Sequence, residues 1–280
     1  MRRVAKLQRG FGWLVSLAVA FAFLLPLIWM VHASFRPEQA IFRGGMMSIF
    51  TWEELGVQNY IDAWRRARFG QALLNSLLQV SGIIGIGLLI NSMAAFAFAR
   101  LRFPGRDLLF SLVLILIILP VEVLVIPLFL TARDLNMTGG YWATMIALIL
   151  PFTAKAINVF FLRQHFLALP TQLEEAARVD GASWWQIYWR IALPSIRPAL
   201  ATVIVLDVLT HWSDFIWPLV VCTRESTRTV QISLANLFTE PPIQWGPILA
   251  CAVMATLPVL LIFRLAQRHL IASDLGAGIK

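Results

Sequence analysis

Charge is scarce in this chain, and lysine scarcer still. Only 14% of its 280 residues are charged, against roughly 25% in soluble globular domains, and lysine occurs only as Lys6, Lys155 and Lys280. None of the three follows a glycine. A phosphate-binding loop, in which backbone amides and an ammonium group hold nucleotide phosphates, is therefore excluded. Cysteine is nearly absent too: Cys222 and Cys251 have no CxxC or metal-ligand spacing and read as packing residues. His32, His165, His211 and His269 are dispersed without HxxxH or His–Cys spacing, and no nucleophile has a base beside it in sequence. Neither a metal site nor a catalytic constellation is expected.

What the chain has in excess is apolar surface. Hydrophobic residues make up 59% of it, and they come in uninterrupted blocks of about twenty, the length that matches the hydrocarbon layer. Six blocks are long enough to span: Phe11 to Val31, Ala72 to Ala99, Leu108 to Leu130, Tyr141 to Leu162, Pro198 to Cys222 and Trp245 to Phe263. The predicted fold class is thus all-α integral membrane, one domain over 1–280 with six transmembrane helices. The first block follows Arg2, Arg3, Lys6 and Arg9 like a signal peptide, but its apolar run exceeds the roughly 7 to 15 residues of a signal core, so it is read as a retained helix. The net charge of +8 is scattered at block ends rather than gathered in a patch, which speaks for topology and against nucleic acid.

Basic residues in the flanks set the orientation. The N-terminal tail carries four, the second-to-third connection Arg100, Arg102 and Arg106, and the fourth-to-fifth Arg163, Arg178, Arg190 and Arg197. Both termini are expected in the cytoplasm, with the chain in a bacterial or archaeal inner membrane. Arg36, Arg43, Arg65, Arg66 and Arg68 dissent, lying in the first outer connection. There Tyr60, Ile61, Trp64 and Phe69 recur at helical spacing, as in an amphipathic helix on the membrane surface or an ordinary structured loop. Gly82, Gly85 and Gly87 sit mid-span without a following lysine and read as close helix packing.

The long fourth-to-fifth connection, 171–194, carries the most specific local pattern. Thr171 with Glu174, and Ser183 with Gln186, have capping-box spacing, and Gly181 between them suits a left-handed helix terminus. The expected structure is helix, sharp turn, helix, stopped by Pro194. On the first helix Leu173, Ala176, Ala177 and Asp180 share a face, with Glu175 beside it, so a partner could approach closely over the alanines.

Glu175-Ala176-Ala177, Gly181, Ile191, Leu193 and Pro194 fill the EAA, three residues, Gly, nine residues, I-x-L-P pattern. The segment resembles the cytoplasmic EAA loop of binding-protein-dependent ABC importer permeases. Further stretches, Ala97 to Arg106, Trp212 to Leu219 and Leu257 to Lys280, extend the likeness to permeases of the maltose type. The resemblance implies a carbohydrate importer subunit that docks on a separate ABC ATPase through Glu174, Glu175, Ala176, Ala177, Asp180 and Gly181. It also implies a tail, 274–280, reaching the ATPase pair through Gly276, Gly278 and Lys280. Its implied partners are a second permease in a heterodimer, two ATPase subunits, an extracytoplasmic substrate-binding protein and membrane lipid. No cofactor is expected on this chain, with ATP and Mg held by the ATPase. ILPVEVLVIP around Glu122 also resembles the glycerol-phosphate branch, which stays open as an alternative substrate class.

Polar groups inside spans normally face a cavity or one another. At about 1.5 Å per residue, Lys155 and Asp207 lie at similar depths and are expected to pair, either beside the path or as a packing device. Glu122, Lys155, Asn158, Asp207, His211, Trp212, Asp214 and Trp217 are the candidate path residues, since aromatic faces with carboxylate or amide bonds suit a sugar. An ion-coupled secondary transporter would use Glu122, Lys155 and Asp207, but the inverted repeats common in such carriers are not seen.

Overall fold

The computed structural model describes residues 2–43, 45, 55–239 and 241–277, with side chains between 12 and 264. Every regular element among the described residues is helical, as hydrocarbon requires when a segment must satisfy its own backbone groups. The α-helices are α1 (Arg2–Ser34), α2 (Gln58–Arg66), α3 (Phe69–Arg100), α4 (Arg106–Ile118), α5 (Val121–Asp134), α6 (Tyr141–Ile149) and α7 (Ala156–Leu167). After them come α8 (Gln172–Val179), α9 (Trp184–Ile187), α10 (Leu193–Ser195), α11 (Arg197–Trp212), α12 (Ile216–Val221), α13 (Val230–Asn236) and α14 (Trp245–Ala277).

Three stretches are straight enough and apolar enough to cross a membrane alone: Gly12–Ser34, Phe69–Arg100 and Trp245–Arg264. Three bent pairs bring the number to six when each counts as one span. The bends have local causes. Between α4 and α5 the chain turns by 102° at Leu119 and Pro120, where the ring disfavours helical backbone in the residue before it. A 3-10 turn, Leu150–Phe152, and an extended Lys155 separate α6 from α7, bent by 49°.

The fifth span departs from the predicted Pro198 to Cys222. The helix running from Trp184 to Ser195 joins α11 across Ile196 at 74°, and α11 ends at Trp212, with Ser213 to Phe215 separating it from the short α12. Pro194 does not stop the preceding helix. A π turn, Tyr188–Ala192, in which Leu193 N–H reaches the Tyr188 carbonyl, carries the helix through Pro194 to Ser195. Pro198 stands in the first turn of α11, where a missing N–H costs nothing.

Met1–Gly70 with Ser233–Leu257 forms one compact unit, and Gln71–Ile232 with Pro258–Lys280 a second. In the first, both Glu38 carboxylate oxygens accept the backbone N–H groups of Trp245 and Gly246, at 2.8 and 2.9 Å, placing a negative charge at the N-terminus of α14. Asn59 donates to the Ser34 and Arg36 carbonyls. The expected amphipathic helix is α2, but only Ile61 and Trp64 face outward. Tyr60 bonds Ser34 at 2.7 Å, and Phe69 is buried at the start of α3.

The second unit packs Phe96, Leu162, Phe166, Ile187, Tyr188 and Val203 into one core, and Met145, Leu148, Trp217 and Val221 into another. Of the three mid-span glycines of α3, Gly82 and Gly87 serve packing as expected, and Gly85 has nothing within 4 Å of an added Cβ. A Cβ on Gly82 would press on the Ile149 side chain, and one on Gly87 would meet the Thr153 carbonyl at 3.0 Å.

Candidate functional site

Residues 171–194 form the expected helix, turn and helix, the second helix being the first arm of the bent pair that continues into α11. Gly181 has φ +80° and closes α8 by two bonds, its own N–H to the Arg178 carbonyl and Ala182 N–H to the Ala177 carbonyl. The Ser183 box forms: Gln186 N–H reaches Ser183 Oγ, and Ser183 N–H reaches Gln186 Oε1. The Thr171 box does not. Thr171 takes helical backbone angles and its side chain caps nothing, while Glu174 turns inward to Arg100.

That ion pair ties the loop to α3. Arg100 Nε lies 2.8 Å from Glu174 Oε1, with the side chains only 8% and 9% exposed, and the same guanidinium donates to the Leu169 carbonyl at 2.6 Å. Burial pushes the Glu174 carboxyl above its ordinary range, and the guanidinium draws it back in part. About two turns further along α3, Tyr188 and Ser92 share a hydroxyl–hydroxyl bond of 2.7 Å, and Phe96, between them and Arg100, packs its ring against Phe166, Trp184 and Tyr188. Ala177 packs on the same core, so it leaves the face it was expected to share with Leu173, Ala176 and Asp180.

The outward face therefore includes Gln172, Leu173, Glu175, Ala176, Val179 and Asp180, with Val179 88% exposed. The face is an apolar strip with two carboxylates, on a helix held from behind by a buried ion pair. Sequence reasoning missed Arg100 as a structural partner, because it was counted only as a topology marker. It also missed Val179; its place between Arg178 and Asp180, amid exposed charge, was the available signal.

A second polar cluster forms where the fourth span breaks. Lys155 Nζ lies 2.6 Å from Asp207 Oδ1, and Asn158 Nδ2 donates to Asp207 Oδ2 at 2.7 Å. The break frees the Thr153 carbonyl and the Lys155 N–H, and Asn91 of α3 satisfies both, at 3.0 and 2.9 Å. The expected Lys155–Asp207 pair is thus present, and Asn91 is an unforeseen member.

The other candidate path residues are spread out. His211 stands one turn beyond Asp207 with its ring against Phe152. Trp212 is buried with Val80 and Val208, and Trp217, 1% exposed, donates its indole N–H to the Ala147 carbonyl. Both tryptophans pack in the interior rather than facing an open passage. Asp214 takes the Trp217 backbone N–H at the break before α12, and Glu122 is exposed in the first turn of α5. Gly276 lies in the last turn of α14 rather than in a separate tail, and Gly278 and Lys280 lie outside the described residues. Among the described residues no cluster of histidine, cysteine and carboxylate side chains could hold a metal ion.

Residues 83–273 match the family described as "Binding-protein-dependent transport system inner membrane component". The arabinooligosaccharides transport system permease protein AraQ of Halalkalibacterium halodurans is 36% identical over 96% of both chains. The lactose transport system permease protein LacG of Rhizobium radiobacter is 30% identical, over 94% of this chain and 93% of its own. The sn-glycerol-3-phosphate permease protein UgpE of Yersinia enterocolitica is 32% identical over 72% of this chain and 71% of its own. Among solved structures, a bacterial ABC transporter involved in the import of the acidic polysaccharide alginate superposes with TM-score 0.80 at 22% identity, covering 93% of this chain and 96% of that one.

Proposed function

Because this chain belongs to the inner membrane components of binding-protein-dependent transport systems, we propose that it is one of two permease subunits of an ABC importer for a carbohydrate, driven by ATP hydrolysed on a separate ATPase pair. The observation that carries the proposal is the α8–Gly181–α9 element, whose outer face presents Glu175, Ala176, Val179 and Asp180 while its inner face is pinned to α3 by Arg100 and Glu174. A partner ATPase holding ATP and Mg grips the outer face. Its closure and opening move α8 and α9, and the motion reaches α3 through Glu174–Arg100 and Tyr188–Ser92, and α11 through the 74° turn at Ile196. The chain itself offers no lysine-bearing phosphate loop to do this work.

Both termini and the α8 connection face the cytoplasm in this proposal, and an extracytoplasmic binding protein delivers substrate to the other side. Lys155, Asn158 and Asp207 supply one polar station along the path. A carbohydrate rather than glycerol phosphate is favoured because the arabinooligosaccharide and lactose relatives align over nearly the whole chain, the glycerol-phosphate relative over less of it.

The test is reconstitution of the chain with its second permease, ATPase and binding protein in proteoliposomes. An oligosaccharide should stimulate ATP hydrolysis and enter the vesicles. Replacing Glu175 and Gly181 together should abolish both while membrane insertion survives. Normal uptake in that variant would refute the docking role, and stimulation by glycerol phosphate alone would refute the carbohydrate.

A further inference from the structure

On the side of the chain that bears α8, a cleft of about 620 Å³ opens between the α3–α4 connection and the first turns of α8. Four arginines, Arg100, Arg102, Arg106 and Arg178, line it against two glutamates, Glu174 and Glu175. Arg100 is committed to Glu174, and Arg178 lies over the Trp184 ring at 4.8 Å and forms no salt bridge among the described residues. Arg106 pairs at 2.9 Å with Asp107, whose side chain is 82% exposed at a second cleft, and Arg102 is exposed.

That second cleft, of about 390 Å³, shares Arg102 and Arg106 and runs onto Gly105 and Leu108 at the start of α4. Beyond it Leu108, Leu109, Leu112, Ile115 and Leu116 are exposed along α4, the apolar half of a membrane span. Cationic guanidinium groups thus pass without a break into a strip of aliphatic side chains. An acidic side chain from a soluble partner would use the first feature and leave the second idle. A molecule with an anionic head and hydrocarbon tails uses both.

We propose that the Arg102–Arg106 cleft binds the phosphate headgroup of an anionic phospholipid, with its acyl chains along α4. Trp185 and Trp189 are exposed on the neighbouring α9 and the π turn after it, and indole rings favour the headgroup layer. Bound there, the lipid bridges the α3–α4 connection and α8, the same two elements that Arg100 and Glu174 join.

Native mass spectrometry of the purified full-length chain tests this with phosphatidylglycerol, phosphatidylcholine and inorganic phosphate as separate probes. Phosphatidylglycerol should be retained, phosphatidylcholine should not, and inorganic phosphate at equal concentration should fail to displace the lipid. Arg102→Ala with Arg106→Ala should weaken retention by roughly thirtyfold, the factor for two arginines near a headgroup. Arg102→Lys with Arg106→Lys should keep most of it, and the control pair Arg133→Ala with Arg224→Ala should keep all of it. Equal retention of both lipids, or an alanine pair that binds like the control, would overturn the site. Displacement by inorganic phosphate would make a free anion the ligand instead. An alanine pair that binds lipid normally but no longer captures the ATPase would make the cleft a protein contact.

Discussion

Replacing Arg100 by alanine isolates the bond between the fourth-to-fifth connection and α3. The substitution removes the 2.8 Å ion pair and leaves the Glu174 carboxylate buried without a counter-charge. Breaking one partner of a buried pair costs about 3–5 kcal/mol. Because the pair borders an open cleft, about 2–3 kcal/mol is the better expectation here. That corresponds to a roughly 30- to 150-fold rise in local opening, readable as faster amide hydrogen exchange in α8. The pH dependence has a definite sign. Burial already raises the carboxyl of Glu174, and without the guanidinium it rises further. A carboxyl whose folded pKa exceeds its unfolded value is destabilising when ionised, so stability falls as pH rises through the window between the two. The Arg100→Ala penalty should therefore be larger at neutral pH than near the ordinary carboxylate range. Glu174→Gln in the same background should relieve most of it. Unchanged exchange in Arg100→Ala, or strictly additive effects of the two substitutions, would refute the pinning role.

Three further outcomes follow from the geometry. Gly181→Ala should cost about 1–2 kcal/mol through left-handed backbone strain alone, since nothing lies within 4 Å of an added Cβ; limited proteolysis at the turn should speed up, less so for Gly181→Asn. Asn91→Ala strips partners from the Thr153 carbonyl and the Lys155 N–H and should lower stability by about 2–4 kcal/mol in denaturant-induced unfolding, a loss under about 0.5 kcal/mol counting against the assignment. Lys155→Met and Asp207→Leu should each destabilise the chain, and the double variant should recover most of the loss. If the pair also lines the path, uptake stays impaired in the stable double variant; full uptake there would reduce the pair to a packing device.

Six spans, though not the bounds of the fifth, and the turn at Gly181 were legible in the sequence because each rests on local physics: block length against bilayer thickness, and the φ that only glycine adopts without strain. Lys155 and Asp207 could be paired because two costly charges at similar depth have few alternatives. What escaped depended on tertiary competition. Thr171 and Glu174 have capping-box spacing, but a guanidinium from α3, some seventy positions earlier, offers Glu174 a stronger partner than a backbone amide does. Pro194 looked like a stop because spacing cannot show that a π turn will absorb it. Trp212 and Trp217 have the composition of sugar ligands, and only packing reveals that their faces are taken by Val80, Val208 and Phe152.

The central claim is that α8 receives energy from another protein, and a photo-crosslinking side chain at position 179 tests it most directly. Val179 is 88% exposed at the end of the proposed docking face, and Cys222 and Cys251 are buried away from the chemistry. In intact membranes the captured protein, identified by mass spectrometry, should be an ABC ATPase subunit, with a yield that changes on adding ATP. Capture of no ATPase from position 179, in a complex that still hydrolyses ATP and imports sugar, would contradict it.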